Sequence, residues 1–371
     1  MTAVKKTFAV VAGDGIGPEV IRAAVSVLRQ CARAFGHRFE FVDLPFGGAA
    51  IDRCADPLPA ETLDACRKAD AVLLGAVGGA KWDSQPLARR PEAGLLRLRK
   101  ELGLYINVRP VKLLEPLRSM CPVRLRENES VDMEIIRELA GGIYFGERRS
   151  GGSGAEEFAA DTEFYSVKEI ERVAQYSFRR AAARRKRLAG IDKANVLASS
   201  RLWRKTVERL ARDFPEVKLE SIYVDNAALQ LVLRPAQFDV ILTSNMFGDI
   251  LSDEAAALAG SIGLIPSMSL GNGSALYEPI HGSAPQLAGK DSADPIGAIL
   301  CAAMLLRESC GLEREAAAVE AAVEGVLYAG FRTPDIAESG SRTVGCSEMA
   351  AQISSALAEH AVEAETYGWG V

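Results

Sequence analysis

Short apolar runs recur along the chain at residues 7–12, 71–76, 131–136, 194–197 and 238–243, and each is bounded by polar or turn-forming positions. Runs of this length, rich in branched residues, predict strands. Between them, apolar positions return every three or four residues over 19–35, 168–188 and 201–213. That spacing predicts helices with one buried face. Strand and helix alternate, as expected of an α/β protein with largely parallel pairing. A further strand-like run, 221–224, precedes Asp225. Residues 255–277 carry no charge, but glycines, serines, Pro266 and Asn272 interrupt them, so a buried helix followed by a loop is expected there rather than a membrane span. The apolar run that begins at Pro295 is too short to cross a bilayer and predicts a core helix. At the start, Lys5 and Lys6 precede a run that stops at Gly13, which suits a first strand and not a signal peptide.

A length of 371 residues suits two domains. The net charge of −5 argues against a nucleic-acid surface. The basic run from Arg179 to Arg187 is therefore expected to be a solvated helix face. Seven scattered cysteines, none in a C-x-x-C spacing, read as reduced thiols of a cytoplasmic protein. The end, from Tyr367 to Val371, is aromatic and glycine-rich and carries no functional reading.

Candidate chemistry begins with N-M-F-G-D-I-L-S-D, which places Asp249 and Asp253 four apart on one predicted helix face. Two adjacent carboxylates repel unless a cation or a shared proton offsets them. With Asp225 as a third oxygen donor and no neighbouring histidine or cysteine, Mg2+ or Mn2+ fits better than zinc. An acidic helix start facing the dipole explains the pair equally well, and the pair alone does not separate the two accounts. Arg99, Arg109 and Arg137 fall on a helix, an extended segment and a strand end. Converging guanidinium groups would hold a substrate with two carboxylates, although each alone is an ordinary ion-pair partner. Tyr144 follows a double glycine, and Lys193 stands where another strand is expected to begin. Either would need a lowered pKa for proton transfer at neutral pH, which a nearby metal would provide.

G-D-G-I-G-P-E, from Gly13 to Glu19, follows a strand and opens a helix, but it has Pro18 where the dinucleotide fingerprint needs glycine. A tight loop or a cofactor-lining loop of another fold remain as its two readings. The stretch from Gly271 to Lys290 is rich in glycine and contains His281, and its length points to function.

Together, and in this order, these segments resemble the β-decarboxylating dehydrogenases, the family of isocitrate, homoisocitrate, tartrate and 3-isopropylmalate dehydrogenases. The resemblance runs from G-D-G-I-G-P-E to Cys346 and implies two open α/β domains that are not Rossmann folds, with the active site in the cleft between them. It implies a first domain of residues 1–104 plus 260–371, a second of 105–259, and an exchanged arm near 151–164. In P-E-A-G-L-L-R-L-R-K, Leu95 and Leu96, with Glu92 nearby, suit a branched alkyl group, so the implied substrate is 3-isopropylmalate. Arg99, Arg109 and Arg137 would bind its carboxylates, and Asp225, Asp249 and Asp253 would hold the metal. Lys193 would take the C2 hydroxyl proton and Tyr144 would protonate the enolate carbon, with Lys193 and Asp225 coming from the partner of a homodimer.

For NAD, the resemblance points to Glu278, His281, Gly282, Ser283, Ala284, Gln286, Leu287 and Asp294. Gln286 and Asp294 depart from the aspartate and asparagine usual in NAD-dependent members. Because the lysine-tyrosine pair of NADP-dependent relatives is absent, NAD is the expected cofactor. A sister enzyme for another 2-hydroxy acid and a non-catalytic subunit are the competing readings.

Overall fold

The computed structural model describes residues 3–367, with side chains through Glu359. The aromatic and glycine-rich end beyond that point lies outside the described side chains. Two compact units divide the chain. One contains the residues up to Leu104, Leu114–Cys121 and those from Ala259 on, and the other contains Tyr105–Leu113 and Pro122–Leu258.

In the first unit the strands lie in the order Arg38–Asp43, Lys5–Gly13, Ala71–Ala76, Ala275–Tyr277, Met268–Gly271. All neighbours are parallel except the last pair. Phe8 to Val11 and Ala71 to Leu74 are each at most 2% exposed, so both faces of these strands are covered, as continuous apolar runs require. Helix Gly17–Phe35 packs against helices Ile296–Glu308 and Cys346–Tyr367. Its Val20, Ala24, Val27, Leu28 and Cys31 face inward at helical spacing. Gly36, at φ 75°, ends it in the left-handed region that glycine adopts without strain.

In the second unit the order is Leu104–Lys112, Asp132–Glu138, Val240–Thr243, Arg187–Asp192, Lys218–Tyr223, with only the first pair antiparallel. Helix Val167–Ala183 starts at a capping box between Ser166 and Glu169. Strands Arg148–Gly151 and Phe158–Asp161 form a separate hairpin within residues 151–164 and just before them. The α/β architecture is the one the alternating pattern predicts.

Three local expectations fail, each for a physical reason. Residues 194–197 form a turn and not a strand, because the Asp192 carboxylate accepts the Ala194 N–H at 2.8 Å and the apolar pair there is too short to propagate a ladder. The strand is Arg187–Asp192, which lies partly inside the stretch predicted as helix. Second, the basic run is solvated only in part: Arg179, Arg185, Lys186 and Arg187 are exposed, but two of its arginines turn to buried carboxylates. Arg180 and Arg184 reach buried Glu134, and Arg184 Nε donates to buried Asp239 at 2.9 Å. Asp239 also accepts the Arg187 N–H at 3.2 Å, so it draws the chain out of the helix and into the strand. Third, the uncharged stretch after residue 255 leaves its helix at Ala256 and supplies two short strands, Met268–Gly271 and Ala275–Tyr277, where only a loop is expected. No described helix is long and apolar enough to cross a membrane.

Asp239→Asn removes the charge that Arg184 and Arg185 face while leaving the shape unchanged. Arg184 keeps Glu134 and Asp132, and Arg185 keeps Asp132, so losing the charge-assisted bonds to Asp239 costs about 2 kcal/mol and the guanidinium unfolding midpoint should fall accordingly. A midpoint equal to that of the wild type would exclude this role.

Candidate active site

Helix Asn245–Ala256 follows the strand that ends at Thr243 and carries Asp249 and Asp253 on one face. Gly248 allows the helix to approach the neighbouring strand, since a Cβ there would lie 2.8 Å from Arg137 Cβ and Cγ. Arg137 lies near the end of strand Asp132–Glu138, and Arg109 comes from the antiparallel strand beside it. Both guanidinium groups are almost fully buried. Buried cations need counter-charge, and the helix supplies it. Asp249 Oδ1 accepts from Arg137 Nη1 in a close contact and from Arg109 Nη2 at 3.3 Å. Arg109 Nη1 reaches Asp253 Oδ1 at 3.3 Å, and the Tyr144 hydroxyl donates to Asp249 Oδ2 at 3.0 Å.

The two guanidinium groups are thus cations that offset the repulsion between the aspartates. Burial, with Asp249 adding to it, still pushes the Asp253 carboxyl above the usual range, while Arg109 and Arg137 pull it down. Burial and the Asp249 carboxylate likewise raise the Tyr144 phenol. At neutral pH Tyr144 therefore keeps its proton and can donate it.

Lys193 and Asp225 form a separate ion pair at 2.6 Å. That hydrogen bond holds the exposed Asp225 carboxyl below its ordinary value. Among the described residues, no three histidine, cysteine or carboxylate side chains gather as a metal site. Asp249 and Asp253 provide an all-oxygen face that fits a hard cation retaining several waters, and a third carboxylate would complete it from outside this cluster.

In the first unit, helix Pro91–Glu101 presents Glu92 and Leu96 at the surface and Leu95 half-buried, while Arg99 turns inward to a close ion pair with Glu278. The loop after Glu278 is anchored by Ile16, whose N–H donates to Ser283 O at 2.8 Å. His281 is buried, its Nδ1 lies 2.9 Å from Gly282 O, and its Nε2 meets no partner among the described residues. Burial lowers its pKa, so the imidazole is neutral. Ala284 takes a left-handed φ of 36°, and Leu287 N closes a turn onto Ala284 O at 2.9 Å, leaving Gly282 and Gln286 exposed. Asp294 is fully enclosed. Its Oδ1 accepts the Ile296 N–H at 2.8 Å.

The family model for isocitrate/isopropylmalate dehydrogenases matches residues 7–353. The chain belongs to that family. It is 53% identical over 358 residues to the 3-isopropylmalate dehydrogenase of Bacillus licheniformis, covering 96% of each chain. Its identity to that of Bacillus subtilis is 55% over 338 residues, covering 90% of this chain and 93% of the other. A crystal structure of isocitrate dehydrogenase from Methylococcus capsulatus superposes with a TM-score of 0.85 at 32% identity, covering 95% of this chain and 99% of that one. A β-decarboxylating dehydrogenase from Thermococcus kodakarensis gives 0.79 at 35%, covering 99% of both.

In this member of the isocitrate/isopropylmalate dehydrogenase family, the residues that orient the arginines went unnoticed in the sequence. Asn245 Oδ1 accepts from Arg137 Nε at 2.9 Å and from Nη2 at 2.7 Å, while its own amide holds Gly141 O. Asn107 Oδ1 accepts from Arg109 Nε at 2.9 Å, and Ser252 accepts from Arg109 Nη1 at 2.6 Å. A signal existed for each. Asn107 and Arg109 are two apart on a strand and so share a face, and Asn245 and Ser252 lie inside the aspartate motif itself.

Asp294, one of the two departures from the family pattern, gives a pH-dependent prediction. Burial and then Asp335 raise its carboxyl well above the usual range, with the Ile296 N–H and Thr333 opposing. For a raised folded pKa, the contribution to stability is present below the ordinary carboxylate range and is lost as pH climbs through the folded value. Asp294→Asn escapes that loss. Its melting temperature should gain on the wild type progressively as pH rises upward from the ordinary carboxylate range. A constant difference across that range would show that Asp294 does not titrate as described.

Proposed function

We propose that this chain catalyses the metal-dependent oxidative decarboxylation of 3-isopropylmalate to 4-methyl-2-oxopentanoate with reduction of NAD, the cytoplasmic step of leucine biosynthesis that this reaction serves. The observation that carries the reading is the convergence of Arg109, Arg137 and Tyr144 on Asp249, with Asp253 alongside. The names and coverage of the curated relatives support it.

Arg109 and Arg137 exchange Asp249 and Asp253 for the substrate carboxylates, with Arg99 as a third guanidinium for the same dianion. That exchange leaves the two aspartates without their cationic partners and ready to hold Mg2+ or Mn2+. When bound, the cation held by Asp249 and Asp253 would supply positive charge for the oxygen ionising at C2, and NAD would supply the hydride acceptor. Lys193 removes the C2 hydroxyl proton as the C2 hydrogen leaves with its electron pair. The carboxylate on C3 then departs as carbon dioxide, and its electron pair passes into the new C2 carbonyl. Tyr144, kept protonated by burial, returns a proton to C3. Leu95 and Leu96 offer apolar surface to the isopropyl group, with Glu92 beside them.

Glu278, His281, Gly282, Ser283, Ala284, Gln286, Leu287 and Asp294 would hold NAD, where glycine and small side chains would allow close approach. Gln286 is exposed and can hydrogen-bond ribose hydroxyls, and no lysine-tyrosine pair is present to favour NADP.

The active form is a homodimer in which Lys193 and Asp225 serve the aspartate pair of the second copy. Asp225 has an exposed carboxylate, and the neighbouring helices Val224–Leu233 and Asn245–Ala256 leave Leu229, Val232, Leu233 and Ile250 at the surface. Phe158 and Phe164, near the hairpin, are also exposed, which suits an exchanged arm.

Comparing NAD reduction with 3-isopropylmalate, isocitrate, homoisocitrate and tartrate tests the substrate assignment. The apolar pair should make kcat/KM for 3-isopropylmalate exceed the others by about 100-fold. Preference for a substrate carrying an additional carboxylate would overturn the assignment.

A further inference from the structure

The turn Gly13-Asp14-Gly15 has no task in the proposed reaction. Asp14 is 3% exposed, yet it carries a carboxylate, and burying one is costly unless donors surround it. Three backbone donors do so. Its Oδ2 accepts the N–H groups of Gly48 at 2.8 Å and Gly78 at 2.9 Å, and its Oδ1 accepts that of Ala49 at 2.8 Å. Its own N–H donates to Ala76 O at 2.7 Å. One side chain thus ties the end of strand Lys5–Gly13 to the end of strand Ala71–Ala76, to the start of helix Gly47–Cys54 and to the loop at Gly78.

Both continuations of this hub lead to residues assigned to ligands. Gly15, at φ +57°, touches the cofactor loop so closely that a Cβ would lie 1.9 Å from Ser283 O, and the next N–H, from Ile16, donates to that same oxygen. Gly78, at φ +101°, sits against Glu92, since a Cβ there would lie 2.5 Å from Glu92 Oε1. If Asp14 lost its bonds, the loop bearing Ser283 would lose the turn that holds it, although the two side chains share no hydrogen bond.

We propose that Asp14 is a positioning residue for the dinucleotide: its carboxylate fixes the turn that presents Ile16 N–H to Ser283, and so sets the cofactor loop in its binding conformation. This rests on the reading of the Glu278 to Leu287 loop as the NAD site.

The test uses Asp14→Asn and Asp14→Ala in the full chain. NADH binding is measured by fluorescence titration without substrate, alongside kcat and the KM values for NAD and 3-isopropylmalate. Asparagine keeps one acceptor oxygen and loses the other, so the NADH Kd should rise about tenfold, the equivalent of one buried hydrogen bond to a charged group. The KM for NAD should rise in parallel, with kcat and the KM for 3-isopropylmalate each within about threefold of wild type, and alanine should be worse than asparagine. A folded Asp14→Asn protein with wild-type NADH affinity, or one whose whole defect lies in kcat, would overturn the proposal. If Asp14→Ala does not fold, the asparagine variant decides alone. Because binding is read without turnover, a wild type that binds NADH but ignores 3-isopropylmalate would sink the substrate assignment and leave the Asp14 comparison standing.

Discussion

Lys193→Met is expected to lower kcat about a thousandfold while leaving NADH affinity and the melting temperature near wild type. Methionine keeps the length and apolar stem of lysine and removes only the amine proposed to take the C2 hydroxyl proton. The stability change is small because the ion pair with Asp225 is largely exposed, and such pairs contribute little. Steady-state NADH formation and thermal melts read the two quantities. Retention of most of the activity would return the chain to the class of non-catalytic binding subunits.

The same variant tests whether sites are shared. If Lys193 of one copy serves Tyr144 of the other, a hybrid of Lys193→Met and Tyr144→Phe chains holds one intact site and one doubly damaged site. Random mixing then restores about a quarter of wild-type activity, because half the dimers are hybrids and one of their two sites is whole. If each site is built from a single chain, mixing restores nothing.

Asp249→Asn is expected to lower kcat/KM by at least about a thousandfold, since a metal's charge stabilisation amounts to several kcal/mol and each 1.36 kcal/mol is about tenfold. Asp249 is the common acceptor for Arg137, Arg109 and Tyr144, and asparagine preserves its shape while removing its charge. The loss should be accompanied by a rise of about a hundredfold in the Mn2+ concentration giving half-maximal rate. That second readout separates the metal role from simple disordering of the arginines. An unchanged Mn2+ requirement would place the cation elsewhere.

Much of this architecture was legible because it rests on local spacing. The helix bearing Asp249 and Asp253 follows from four-residue periodicity, and the strand carrying Arg137 near its end from a continuous buried run. What was hidden depends on partners remote in sequence. The helix that begins at Val167 was extrapolated past Ala183 because its basic continuation still reads as helical. Only the position of Asp239, more than fifty residues on, shows why the chain turns there. The arginine partners of the aspartates were missed for a related reason, since the register that sets Asn107 opposite Arg137 is a tertiary fact. Asn245 and Ser252 were visible in the motif, but carboxylates drew the attention that amides and hydroxyls also merited.

The most direct test of the account is the ratio of carbon dioxide released to NADH formed when the purified chain is given 3-isopropylmalate, NAD and Mn2+, with a parallel sample containing excess chelator. The account predicts one carbon dioxide for each NADH, 4-methyl-2-oxopentanoate as the organic product, and loss of both signals in the chelated sample. NADH without carbon dioxide, or equal turnover after chelation, would contradict it.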